Sequence, residues 1–410
     1  MRPRVLLLGH NYAPEQTGIG PYNTQLAEHL LARGCDVTVL TTFPHYPRYR
    51  WSVRPHLFHR ERMAGVAVRR MRVILPRSSA AIWRVIFDSS VGASYLVNAF
   101  GIRRPGVVIA TVPTLQGALV AALLARLWRA KSVFMVQDLP VEAGLAVGML
   151  RPGLGLRIAR WIESTVFRLG NHIVVISEVF RDVLLAKGLD PSKITVIPDW
   201  VDLDRIRPTV AEPGVRETLS GSTNGFLLLH TGAMAGKQGL ETVVRAAEML
   251  GPESDVHTVL VGDGPAKPEL ERVVASGGIR NVRFVGLQPE EYFPKMLAAA
   301  DAVLLNQRAN VVDAVAPSKL LNYMAAGKAV VAAVNENSVA AKLILEARAG
   351  LVVSPENPAD LIRAIERLRA EPHLREQFGE NGRAYAERHF ARNEMLQRWY
   401  DIVVHLATES

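Results

Sequence analysis

Short continuous apolar runs recur along the chain, separated by longer stretches with an apolar residue every third or fourth position. The continuous runs at 5–9, 36–41, 107–111, 132–137, 172–177 and 194–198 predict strands buried on both faces. Between them, 23–33 carries Leu26, Leu30 and Leu31 on one helical face and stops at Gly34; 115–129 and 156–169 also read as helices. The second half repeats the alternation, with strands at 226–231, 257–262, 282–286, 301–306, 329–334 and 351–354, each followed by a helical pattern. Strand–helix alternation of this kind predicts two separate doubly wound parallel sheets, an α/β fold. Residues 43–65, rich in Pro, His and Arg without a period, and 209–224, rich in Pro, Gly, Ser and Thr, predict loops. A closing helix is predicted within 382–406, carrying Tyr385, Phe390, Met395, Leu396, Trp399, Tyr400 and Val403.

Two corners of this pattern carry chemistry. Pro317 and Ser318 read as a helix start after the 301–306 strand, and Gly327 reads as its stop. Lys319 then falls in the first turn, where unsatisfied backbone N–H groups point outward and a cation is unfavourable unless an anion is also present. A phosphate held by the helix end and Lys319 resolves the conflict. Taken alone, the segment equally fits a solvated lysine. The second corner, Gly232-Ala-Met-Ala-Gly236-Lys237-Gln-Gly239, joins the strand 226–231 to a helix ending near Leu250. Its spacing of Gly and Lys differs from that of the Walker motif. Two such corners predict a diphosphate held between two positive helix ends.

The ordered set of motifs resembles retaining glycosyltransferases of family 4, in particular the bacterial branch that builds O-antigen and colanic-acid-type polysaccharides. The set comprises both lysine corners, Tyr12-Ala-Pro-Glu15 with Gly18-Ile-Gly20-Pro-Tyr22, Pro44-His-Tyr-Pro47, Val136-Gln-Asp138-Leu-Pro140, Ile197-Pro-Asp-Trp-Val-Asp202, Gly262-Asp-Gly-Pro265 and Gly379-Glu-Asn-Gly-Arg383. The resemblance implies the GT-B architecture, two Rossmann-like domains facing a cleft. It implies an acceptor-side domain at 1–205, completed by a C-terminal helix at about 386–410 that crosses back to it, and a nucleotide-sugar domain at 206–385. It implies a metal-independent hexosyl or N-acetylhexosaminyl transferase with a UDP-sugar as co-substrate and no cofactor. Lys237 and Lys319 would stabilise the departing diphosphate, Gly236 and Ser318 would contact phosphate, and Val285 and Leu287 would face the base. Gly18 and Gly20 would line the cleft, and Asp138 or Gln137 would meet sugar hydroxyls. The family's paired glutamates are missing. Asp313 stands one residue out of register with the first, where Ala314 aligns, and Asn322 replaces the second as ribose partner. The family's histidine near Asp138 and the arginine before the loop lysine are also absent.

Charge adds an expectation about the acceptor. Residues 1–205 carry 26 Lys and Arg against 14 Asp and Glu, a net of +12, while the whole chain is +9. Within 48–104 there are 12 arginines facing only Glu61 and Asp88. Such a patch suits an anionic partner. The segment 82–100, with Trp83, Phe87 and Tyr95, fits a helix at a membrane interface as well as one packed in the core. Arg69, Arg70, Arg72 and Trp83 are therefore expected to meet a polyprenyl-diphosphate-linked saccharide and an anionic membrane, with the protein peripheral on the cytoplasmic face. The run 5–9 is too short for a signal peptide, and no apolar run reaches the roughly 18 residues of a span. One cysteine, Cys35, excludes an internal disulfide framework.

Other readings are weaker. His45, His56 and His59 lack the cysteines or paired carboxylates of a metal set, and Asp202-Leu-Asp204 falls in the interdomain crossing. A nicotinamide enzyme would need a third fingerprint glycine after Gly18 and Gly20, and an acid where Thr41-Thr42 stands. A nucleic-acid binder would not need two alternating sheets. A sugar-nucleotide epimerase of the same architecture, and a transferase acting on a soluble small molecule, remain as alternatives.

Overall fold

A computed structural model of the protein describes residues 2–15, 18–45, 50–78, 81–146, 153–311 and 317–409. Contacts divide it into two compact units, Met1–Asp199 with Asn393–Ser410, and Trp200–Arg392.

The first unit contains β1 (Arg4–Leu8), β2 (Asp36–Thr42), β3 (Phe58–Met63), β4 (Val66–Met71), β5 (Val107–Val112), β6 (Lys131–Val136), β7 (His172–Val175) and β8 (Ile194–Val196). They form one sheet in the order β3-β4-β2-β1-β5-β6-β7-β8, parallel throughout except for β3 against β4. The apolar runs of β1 and β5 are central and wholly buried. The helices are α1 (Gly20–Ala32), α2 (Ala81–Asn98), α3 (Leu115–Trp128), α4 (Pro140–Ala146), α5 (Leu154–Leu169) and α6 (Glu178–Ala186). Leu26 and Leu30 bury the inner face of α1. α2 packs on α3 and α3 on α5. Successive strands step one way from β1 to β2 and the other way from β5 to β8. The crossover direction therefore reverses between β1 and β5, the place where ligands bind in open sheets of this type.

Part of the expected loop 43–65 is instead the edge hairpin β3–β4. Ala64 and Gly65 both adopt positive φ, 47° and 84°, as a two-residue hairpin turn demands. The charged, exposed sequence of β3 conceals the strand because an edge needs no buried face.

The second unit contains β9 (Phe226–Thr231), β10 (Val256–Val261), β11 (Val282–Val285), β12 (Ala302–Asn306), β13 (Ala329–Ala333) and β14 (Gly350–Val353), all parallel, in the order β11-β10-β9-β12-β13-β14. Here the crossover reverses between β9 and β12. Its helices are α7 (Val215–Ser220), α8 (Glu241–Leu250), α9 (Lys267–Ser276), α10 (Phe293–Ala299), α11 (Ser318–Ala325), α12 (Val339–Ala347), α13 (Pro358–Ala370) and α14 (Pro372–His389). α7 lies inside the stretch expected to be loop, where Val215 and Leu219 supply a one-turn buried stripe between Gly214 and Gly221.

The expected C-terminal helix is broken. α14 ends at His389 and α15 (Arg392–Thr408) begins after a parallel bridge between Val201 and Ala391. The Val201 N–H donates to Phe390 and the Arg392 N–H to Val201, so two backbone hydrogen bonds hold the interruption. α15 returns to the first unit, where Arg33 lies 5.4 Å over the Tyr400 ring and Lys131 pairs with Glu409 at 3.2 Å.

Candidate active site

Both lysine corners sit at the carboxyl edge of the second sheet, on the neighbouring strands where the crossover reverses. After β9 the chain makes a glycine loop and a single turn of 3-10 helix, Gly236–Gln238, before α8. Lys237 is exposed on that turn. Its position is fixed from β12: the Asn306 amide donates to Gln238 and Gly239 carbonyls at 2.6 and 2.9 Å, and the Arg308 N–H donates to Lys237 at 3.0 Å. The Arg308 guanidinium also donates to Gly236 at 2.7 Å and pairs with Glu241. An arginine thus reaches this loop from a different segment than the family's, with a carboxylate already on it.

Lys319 opens α11 after Pro317, as the pattern predicts. Its ammonium is buried, 3.3 Å from where a Cβ on Gly232 would stand. Gly232 has φ of +114°, so a side chain there would be strained and would also crowd the lysine. Tyr323, one turn along α11, locks the corner: its hydroxyl accepts from the Thr231 N–H at 2.9 Å and lies 3.0 Å from the Thr231 hydroxyl. Burial pushes the Tyr323 phenol up to about 12. His230, also buried, is held well below the usual histidine range by desolvation and then by the nearby Lys319 ammonium, so it is neutral. Its Nδ1 is 3.2 Å from the Leu304 carbonyl.

The adjoining Gly262-Asp-Gly264 turn is equally constrained. A Cβ on Gly262 would stand 1.9 Å from the Gly232 carbonyl oxygen, and one on Gly264 would stand 2.4 Å from that of Met234. Only glycine admits this backbone approach. Val285 ends β11 half-buried, and Leu287 beyond it is exposed. Ser318 is exposed. The Asn322 amide donates to the Ser318 carbonyl of its own helix at 3.1 Å, so a ribose would have to compete for that donor. Asp313 and Ala314 lie outside the described residues.

In the first unit, Gly18 has φ of 67°, and Gly20 opens α1 where a Cβ would press the Glu15 carbonyl at 2.9 Å. Glu15 is buried and accepts from the Asn11 amide and the His45 N–H at 2.7 and 2.8 Å, fixing the loop after β1. Asp138 follows β6, one strand beyond the crossover reversal. Its neighbour Gln137 donates to Asp199 at 2.9 Å, and burial raises that carboxyl to about 6. His10 and Thr114, on the loops after β1 and β5, are buried at the reversal itself. Burial, with the His45 and Arg84 charges, depresses His10 to about 3, and burial lifts Asp88 on α2 to about 6. Sequence reasoning missed this polar group because its members are far apart along the chain.

The arginine expectation needs correction. Arg70 is 4% exposed. Its guanidinium pairs with Glu61 and donates to the Thr42 and Ala13 carbonyls, so it is a framework residue that no surface anion reaches. Arg69 donates to the carbonyls of Asn98, Phe100 and Gly101 at 2.8–3.1 Å, closing the end of α2. Arg72 is exposed, and Trp83 is half-buried under the Arg77 guanidinium at 5.2 Å. Phe87 and Tyr95 are buried and do not reach a membrane. Asp202 pairs with Arg392 and accepts from the Asp204 and Arg205 N–H groups, a structural use of its carboxylate. Among the described residues, no cluster of His, Cys, Asp and Glu is placed to hold a metal.

Comparison with known proteins decides the family. Residues 17–200 match the glycosyl transferase 4-like domain, and 216–385 match glycosyl transferases group 1. The glycosyl transferase WcaI of Escherichia coli (strain K12), a protein assigned to colanic acid biosynthesis, is 31% identical over 409 residues, 97% of this chain and 98% of that one. The chain belongs to family 4 of the retaining glycosyltransferases. An alpha-D-kanosaminyltransferase of Streptomyces kanamyceticus is 28% identical over 55% of this chain and 58% of its own. Sucrose-phosphate synthase from Thermosynechococcus elongatus superposes with a TM-score of 0.73 at 18% identity, covering all of both chains. Anabaena HepE in complex with UDP gives 0.70 at 16%, covering 98% of this chain and all of the other. The fold of this glycosyltransferase is GT-B.

Proposed function

We propose that this glycosyltransferase moves a sugar from a UDP-sugar to a lipid-linked saccharide, a polyprenyl diphosphate, in the building of a cell-surface polysaccharide. The full-length likeness to WcaI carries the reading. HepE, with the same fold, has been seen with UDP-glucose, which supports the donor. In this reading Lys237 and Lys319 hold the diphosphate from both sides of the crossover reversal, with Ser318 and the N–H groups of Gly236 and α11 as further donors. Electrostatic stabilisation of the leaving phosphate is the main catalytic contribution. Lys319 waits largely desolvated, so an arriving phosphate meets a cation that sheds little water. The bond from the anomeric carbon to UDP breaks as the acceptor oxygen bonds to that carbon on the same face, retaining configuration, and the departing phosphate takes the acceptor proton. Asp138 contacts sugar hydroxyls, and Asn322 exchanges its bond to Ser318 for one to the ribose.

The likeness to a 2-deoxystreptamine glucosyltransferase of Streptomyces kanamyceticus, 28% identical over 52% of this chain and 54% of its own, favours a second reading, a soluble acceptor. A thermal-shift screen of nucleotide sugars identifies the donor, because a ligand that binds only the folded state raises its midpoint. Product analysis with a polyprenyl-diphosphate sugar and with soluble aminocyclitols then separates the readings. Transfer only to the soluble acceptor overturns the first, and epimerised donor without any acceptor overturns both.

A further inference from the structure

We propose that the outer face of α3 and α5, flanked by α2, is the surface by which this glycosyltransferase lies on an anionic bilayer. The inference rests on the lipid-linked acceptor and says where the protein meets the membrane. α3 exposes Leu119, Leu123 and Leu127 at four-residue steps, Leu127 being 76% exposed. Residues so spaced form one row along a helix. α5 exposes Leu154, Ile158, Trp161 and Ile162, with Leu154 at 73% and Trp161 at 66%. Ile82 and Val85 of α2 are also exposed. Because α2 packs on α3 and α3 on α5, these rows lie in one layer on one side of the sheet.

Charge on the same helices has a single sign. Arg126 of α3, Arg129 just beyond its end, and Arg157, Arg160 and Arg168 of α5 are exposed, Arg160 pairing with Glu142 of α4 at 3.4 Å. The only carboxylates on the three helices, Asp88 and Glu163, are both buried; Glu163 accepts from the Val141 N–H and pairs with Lys187. An apolar row rimmed by arginines suits the boundary between acyl chains and phosphates, where the rings and aliphatic stems sink in and the guanidiniums reach the headgroups. No described helix is long and apolar enough to cross a membrane, and α3, at 14 residues, extends only about 21 Å. The helices lie flat instead. A second copy fits the face poorly: a two-fold contact would set the same arginine rows against each other, and Glu142 of α4, beside them, is already paired with Arg160 and Lys187.

The test uses the full chain and vesicles containing phosphatidylglycerol in phosphatidylcholine. Wild type is expected to co-sediment at low salt, to be released at high salt as headgroup attraction is screened, and to ignore pure phosphatidylcholine. The variant Leu127→Ser, Leu154→Ser, Trp161→Ser should lose roughly tenfold or more of vesicle partitioning, because three exposed apolar anchors are removed. Its thermal midpoint and UDP binding should be unchanged, since all three side chains point to solvent. If wild type binds and the folded variant binds equally, this face is wrong while the lipid-linked acceptor stands. If wild type ignores anionic vesicles yet glycosylates a lipid-linked acceptor in detergent, the docking surface fails and the acceptor survives. Self-association of wild type, abolished in the variant without loss of vesicle binding, would assign the face to a second copy.

Discussion

Tyr323→Phe tests whether the Lys319 corner is held by a single hydroxyl. In the folded chain that oxygen accepts from the Thr231 N–H at 2.9 Å and lies 3.0 Å from its hydroxyl. The phenyl ring can remain where the phenol ring was, so no cavity opens. What is lost is one buried backbone donor's partner and one hydroxyl contact. A buried N–H left unsatisfied costs about 1–3 kcal/mol, and the Thr231 hydroxyl can turn elsewhere at little cost. The expected loss is about 2 kcal/mol in urea unfolding of the full chain. Turnover should fall by roughly tenfold, because α11 is no longer fixed to the end of β9 and Lys319 sits on the same helix face one turn earlier. Adding Thr231→Val, which removes the second hydroxyl, should cost less than the two single changes summed, as neighbouring sites do not add. A stability within about 0.3 kcal/mol of wild type, with full turnover, would refute the reasoning and leave α11 held by packing alone.

Lys237→Ala and Lys319→Ala should each lower turnover by about 100-fold, the size of effect seen when one electrostatic stabiliser is removed, with circular dichroism unchanged; near-normal activity in either folded variant removes it from the phosphate site. His10 should make stability fall in acid. The folded chain keeps it neutral down to about 3, whereas the unfolded chain takes up a proton below about 6.5. The unfolded state thus binds the extra proton, and stability declines as pH drops through that window. The stability advantage of wild type over His10→Gln should accordingly shrink by about 2 kcal/mol between pH 7.5 and 5, and a constant difference would place His10 in water. Arg70→Ser should destabilise by about 3 kcal/mol, since it strands Glu61 and two carbonyls, while the exposed Arg72→Ser should leave the urea midpoint unchanged; equal effects would contradict the burial of Arg70.

The sequence by itself determined the class of fold, because a strand buried on both faces must be a continuous apolar run and a helix beside it must repeat every three to four residues. Both lysine corners were legible for the same reason: a glycine loop, a lysine and a helix start are local features. The edge hairpin β3–β4 escaped because an edge strand needs no apolar face, and α7 because one turn shows too few positions to reveal a period. Only the tertiary structure decided which strands are neighbours. The reversal between β9 and β12 places Lys237 and Lys319 at one sheet edge, although more than eighty residues separate them. Tertiary packing also reassigned the arginines. Arg69, Arg70 and Arg72 look alike in a basic stretch, yet α2, β2 and β3 bury one, fix another as a helix cap and leave the third in solvent. Burial of a charge is set by partners from distant strands, and a one-dimensional pattern of charge does not contain them.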